Sequence, residues 1–283
     1  MLELLTDPTV ITVSLGALML GLTSGALGTF AVLRRQSLLG DAMSHAALPG
    51  VVIGYLVAGG RSLPFMLLGA LASGLAAALL SVALSRRRGI KNESALGVAL
   101  GTGFALGVVL LSYVQRQPGA GSAGLEQFLY GQAAATLRSD LVTIGVLGAV
   151  ALAAVALLFR PLKLVIFDPH FARASGYRVQ LYEAVSTGLL AIAIVVGLEL
   201  VGVVLMSALV VAPAAAARQW TGSLTGMVWV AGGIGAGSAL VGALLSAAVP
   251  GMATGPTVVL VASLVVVVSL VAAPRRGVPV EGA

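Results

Sequence analysis

Apolar residues in this chain come in runs of about twenty, separated by short polar breaks, rather than at the spacing of a helix with one wet face. Runs of that length match what an α-helix needs to cross the hydrocarbon layer. They predict spans over about Thr9–Leu33, Ser37–Ala58, Leu63–Leu84, Ala95–Tyr113, Leu141–Leu158, Tyr182–Leu198, Val201–Ala217, Leu224–Ala248 and Pro256–Ala273. The sixth and seventh runs are closely coupled and also fit one span plus a half-helix, which gives eight. The expected fold is all-α: a polytopic helical membrane protein with about 8–9 transmembrane helices, residues 1–283 forming one transmembrane domain.

The polar breaks carry their own signals. Ser37 suits an N-cap for the second span, and Pro49-Gly50 is expected to interrupt it beside its polar residues. Pro213 frees a backbone carbonyl in the seventh span, so both prolines are candidate gating points. Leu125–Ala135 is too short to cross and fits a re-entrant or interfacial piece. Residues 167–180 form the longest amphipathic stretch that does not span. There Asp168-Pro169 starts a helix, Phe171 and Ala174 offer an apolar face, and Gly176 ends the turn.

Charge then orients the chain. Arg34-Arg35, Arg86 to Lys91, Arg160 with Lys163, Arg218 and Arg275-Arg276 all fall on one side if there are nine spans with the N-terminus outside. This positive-inside pattern, rather than nucleic-acid binding, accounts for the net charge of +6. Only 9% of residues are charged against 59% hydrophobic, which excludes a soluble domain. The first run is too long, and its leader too poor in basic residues, for a cleaved signal, so a retained span is expected. With no cysteine there is neither a disulfide framework nor a thiolate ligand. Glycine is abundant, and spacings such as Gly21-x-x-x-Gly25 suit close helix packing in lipid.

Against this background Asp41 and His45 stand out. On a helix they lie one above the other, and Ser44 joins them on that face. Ionisable groups in lipid face a cavity, a partner or a transported ion. Carboxylate oxygen and imidazole nitrogen both suit Mn²⁺, Fe²⁺ and Zn²⁺, and two ligands fit a conduit better than a store. The spacing equally allows Asp41 and His45 simply to pair, or Asp41 to cap an interfacial helix. Glu199, at the expected outer end of spans six and seven, is either an entrance that gathers cations or a solvated helix end. His170 is expected on a solvated surface. Gly40-Asp41 is a weak match to intramembrane aspartyl proteases, because residue 38 is Leu and a second intramembrane Asp is lacking. Ser44 and His45 are adjacent and point apart, which disfavours a catalytic dyad. No phosphate-binding loop of the Gly-x-x-x-x-Gly-Lys-Ser/Thr type occurs, so the chain is not expected to be an enzyme.

Four places together resemble the permease subunits of the ABC-3 family, which import manganese, iron(II) or zinc. They are Gly40 to Ala46 with Leu48-Pro49-Gly50; Phe128 to Gln132; Phe167-Asp168 with Ala172 and Ala174 to Gly176; and Val201-Gly202 through Pro213-Ala214. The resemblance implies a multi-pass cell-membrane protein, inner or plasma membrane, working as a homodimer with two cytoplasmic ATPase subunits and an extracytoplasmic metal-binding protein. It implies that Asp41 and His45, with Ser44 more weakly, meet the metal, and that Phe167, Asp168, Phe171, Arg173, Ser175 and Gly176 belong to a coupling helix docking on the ATPase. The metal is then a passing substrate, with no permanently bound cofactor. The oxygen-rich donor set and Leu48-Pro49-Gly50 favour Mn²⁺, then Fe²⁺ or Zn²⁺. A proton-coupled secondary metal transporter is the alternative from another class, and an intramembrane protease the remote one.

Overall fold

The structure is a computed structural model, and it describes residues 7–85, 87, 90–116, 131, 138–249 and 251–273. Its helices are α1 (Pro8–Leu33), α2 (Ser37–Ala58), α3 (Leu63–Ser85), α4 (Asn92–Gln115), α5 (Arg138–Leu157), α6 (Phe159–Phe167), α7 (Pro169–Ala174), α8 (Val179–Val201), α9 (Val203–Trp220), α10 (Leu224–Ala248) and α11 (Thr254–Ala272). Among the described residues, eight are long and apolar enough to cross a bilayer: α1 to α5, α8, α10 and α11. The shorter α9, with Arg218 and Gln219 in its last turn, runs beside them. Helices dominate because every backbone N–H and C=O in hydrocarbon must be satisfied within its own segment.

Packed pairs fix the helix directions. A side chain added at Gly21 or Gly25 would strike the backbone of Gly235 or Ala231, so α1 and α10 run antiparallel with their backbones touching. The same test sets Gly50 against Gly69 and Gly54 against Phe65, pairing α2 with α3 head to tail. On α4, Gly103 meets Ala46 and Gly107 meets Leu48, so α4 runs parallel to α2. Thr23 and Met19 of α1 meet Gly148 and Gly145 of α5 in parallel. At one end Arg34 holds Glu183 at 3.6 Å and donates to its carbonyl at 3.3 Å, joining the α1 exit to the α8 entry. The Trp220 indole N–H donates to Ser269 Oγ at 2.7 Å, bringing the ends of α9 and α11 together on that same side. At the other end Gly255 abuts Val201. The end that holds Arg34 also gathers Arg35, Arg87, Lys91, Arg160, Lys163 and Arg218, which marks it as cytoplasmic.

Several boundaries differ from expectation. Ser37 is the first residue of α2 and not its cap; Gln36 holds that position and its side chain makes no capping bond. Pro49 and Gly50 do not interrupt α2, which runs unbroken from Ser37 to Ala58. A lone helix would give up about 3 kcal/mol at an internal proline. Here the close approach of α3 at Gly50 and Gly54 holds the axis across the one missing bond. The turn between α8 and α9 lies at Gly202 rather than Glu199, with φ +87° and ψ 163°, a conformation essentially confined to glycine. Asp140, expected just outside span five, is in the first turn of α5 and only 6% exposed. The chain also forms α6 where only a basic span end was expected. Leu162 and Val165 turn inward there while Arg160 and Lys163 face out, a mixed pattern too short to register as a span. Of the expected re-entrant piece and the Phe128–Gln132 motif, only Gly131 is described, and it lies against the backbone of Val201. Arg275-Arg276, Arg86, Arg88 and Gly89 lie outside the described residues.

Candidate metal-path residues and partner surface

On the unbroken α2, Asp41 and His45 stack as i and i+4. His45 Nε2 lies 3.5 Å from Asp41 Oδ1, with 16% of the imidazole side chain and 34% of the carboxylate side chain exposed. That separation is long for a hydrogen bond. A cation taking bonds of about 2.1 Å to each donor can bridge atoms up to about 4 Å apart. His45 is fixed by Phe104 of α4, whose ring meets it edge-on with centroids 5.1 Å apart. Its Nδ1 is buried with no hydrogen-bond partner.

The pair lies in the interior of the bundle. Gly40 is close to Ile194, about two-thirds along α8, and the Asp41 carboxylate lies near the hydroxyl of Ser207 on α9. The sequence reading missed Ser207 and Phe104. Neither belongs to a local pattern with Asp41, and only the return of α4 and α9 onto α2 brings them there. Ser44 is fully buried and its hydroxyl donates to the Asp41 carbonyl at 2.9 Å. Pro49, one turn beyond His45, has no N–H to give the His45 carbonyl, which adds a backbone oxygen near the imidazole. Among the described residues no cluster of three or more His, Cys, Asp or Glu forms, and Asp41 and His45 stand as a pair.

The other candidates are dispersed. Glu199 is in the last turn of α8 and Pro213 is buried within a continuous α9. Asp140 sits at the outer end of α5, whose Leu141 meets Gly16, and not beside Asp41. The residues from 167 to 176 collect on the cytoplasmic end. The Asp168 carboxylate accepts the Phe171 N–H at 2.8 Å, Pro169 takes the first turn of α7, and Gly176 reverses the chain at φ +84°. Ala172 is buried and anchors α7, while Phe167 (61%) and Phe171 (57%) stand out into the cytoplasm with Arg173 and Ser175 also exposed. His170 is exposed beside them.

The family model described as the ABC 3 transport family matches residues 6–273. The chain belongs to the ABC 3 transport family. Within that family it is 45% identical over 278 residues to the zinc transport system membrane protein TroC of Treponema pallidum, covering 98% of this chain and 93% of that one. It is 44% identical over 262 residues to the manganese transport system membrane protein MntC of Bacillus subtilis, covering 93% of this chain. The match spans about 60% of that MntC's length. Among solved structures, PsaBC from Streptococcus pneumoniae in complex with Fab superposes at a TM-score of 0.85, with 30% identity, over 96% of this chain and 94% of that one. As an ABC 3 transport family permease, the chain is a multi-pass protein of the cell membrane.

Proposed function

We propose that this permease carries a divalent transition metal into the cytoplasm as the membrane subunit of an ATP-driven importer. The observation that carries the reading is the half-open Asp41–His45 pair, held in the bundle interior by Phe104 and Ser207. A carboxylate and an imidazole in an apolar surround are expensive, and a cation that neutralises the carboxylate offsets that expense. ATP hydrolysis is assigned to separate cytoplasmic subunits. The exposed Phe167 and Phe171 and the basic Arg173 form the surface offered to them, as an aromatic anchor with a charged rim. A second copy of the chain would cover the open side of Asp41, and an extracytoplasmic binding protein would deliver the ion.

The relatives' names divide between manganese and zinc at nearly equal identity. The chemistry of the donors favours Mn²⁺, with Fe²⁺ and Zn²⁺ next. One imidazole, one carboxylate, a hydroxyl and a freed carbonyl make an oxygen-rich set without sulfur. Zn²⁺ binds more tightly at almost any such site, so selectivity rests mainly with the delivering protein. The test is uptake of radioactive Mn²⁺ and Zn²⁺ into vesicles carrying the full complex, with and without ATP. ATP-dependent Mn²⁺ entry is expected. Zn²⁺ entry alone would overturn the choice of metal. Entry that persists without ATP and follows a proton gradient would replace the importer reading by a proton-coupled carrier.

A further inference from the structure

On an outer face of the cytoplasmic half, α1, α5 and α10 leave a groove of about 660 Å³. Its walls are apolar, with Leu22 and Ala26 from α1, Leu152 and Ala156 from α5, and Val228 and Trp229 from α10. The groove runs toward the cytoplasmic end and stops at Phe159 and Arg160, the first turn of α6, with Thr225 opposite. The Arg160 side chain is exposed, and Lys163, three residues on along α6, is exposed too. Neither forms an ion pair with a described residue. Trp229 is 74% exposed at the rim. Both tryptophans of the chain, Trp220 and Trp229, fall in this cytoplasmic half, as in the aromatic belt at a membrane surface.

We propose that this groove is a binding site for an anionic phospholipid of the cytoplasmic leaflet. One acyl chain lies along Leu22, Leu152, Ala156 and Val228, and the phosphate meets Arg160 and the Thr225 hydroxyl at the end of the groove. Charge complementarity selects the occupant. A slot that is apolar along its length and ends in the uncompensated Arg160, with Lys163 exposed one turn beyond, matches a lipid with a negative head. A zwitterionic lipid fills the slot but pairs less well with its end. The site is separate from the Asp41–His45 pair and does not depend on the transport reading.

The experiment uses Trp229 as the reporter. In the full-length chain carrying Trp220→Phe, Trp229 is the one remaining tryptophan. The protein is reconstituted in phosphatidylcholine vesicles with a small fraction of dibrominated phosphatidylglycerol or dibrominated phosphatidylcholine. Bromine on an acyl chain in the groove quenches Trp229 on contact. Phosphatidylglycerol should quench with about a fivefold advantage, the factor one basic side chain contributes at an anionic surface. Arg160→Gln should remove most of that advantage, and Arg160→Lys should restore it. Quenching by brominated phosphatidylcholine, unchanged in every variant, serves as the check that the fold and the groove are intact. Equal quenching by both lipids in the parent, or an advantage that survives Arg160→Gln, overturns the proposal. So does a Trp229 that neither lipid quenches, which would mean that a second copy of the chain covers the groove.

Discussion

At the scale of the residue, the site depends on side chains that three separate helices bring together. Asp41→Ala and His45→Ala should each lower metal uptake by at least about tenfold, since even indirect partners of a bound ion are worth 10- to 100-fold. Membrane insertion should be unchanged or improved, because a costly group has left the apolar segment. Transport assays together with protein levels in isolated membranes check both parts; normal uptake by both variants would remove the pair from the path. Ser207→Ala should have a milder effect, about fivefold, the factor that goes with about 1 kcal/mol for one polar group beside the Asp41 carboxylate. The Asp41–His45 pair was legible in the sequence because i,i+4 stacking on a helix is a local rule. Ser207 and Phe104 were not, because no local rule links residue 41 to residue 207. Their nearness is a product of the turn at Gly202 and of the parallel packing of α4 on α2.

Elements were more legible than their junctions. Spans of about twenty apolar residues are set by bilayer thickness and read directly from the chain. Span eight, for instance, matches α10 end to end. Pro49 misled because the cost of an internal proline is a property of an isolated helix, whereas α3 packs along this one. α6 escaped notice because it is only nine residues long, with Arg160, Pro161 and Lys163 interrupting its apolar positions. The small-residue seam makes a clear prediction here. Gly21→Leu drives a side chain into the Gly235 carbonyl, while Gly237→Leu on α10 meets nothing within 4 Å. The first should lower the thermal stability of the purified permease by an amount typical of overpacking, about 1–3 kcal/mol, and the second should leave it unchanged. Equal melting temperatures would show that α1 and α10 are not in contact. α7 carries a separate prediction. Phe171→Asp places a charge where an exposed aromatic would anchor a partner. It should cut co-purification of the ATPase about 30-fold, the scale of a 2 kcal/mol interface anchor. Wild-type recovery would move the contact to the loop around Arg87.

At the scale of the molecule, the glycine contacts divide the bundle unevenly. α1 and α10 touch backbone to backbone, and so do α2 and α3, with α4 close against α2. Each set is interlocked too tightly to slide, because packed small-residue seams are not continuously deformable. Asp41 belongs to the second set, and its Ser207 partner to α9, which packs through Val210 on Gly28 of the first. The chain has no native cysteine, so disulfides can be placed at will. Arg34–Glu183 ties α8 to α1, so a bridge between Gly40→Cys and Ile194→Cys joins the two sets and should stop transport reversibly under reductant. The same variant kept reduced should transport and serves as the control. Full transport by the oxidised variant would mean that the division does not move. If it does move, the bundle behaves as two stiff bodies with one seam between them, and a cation at Asp41 sits on that seam. Parting the bodies would then strip Ser207 from the ion and loosen it, so that the step that opens the exit is also the step that weakens the grip.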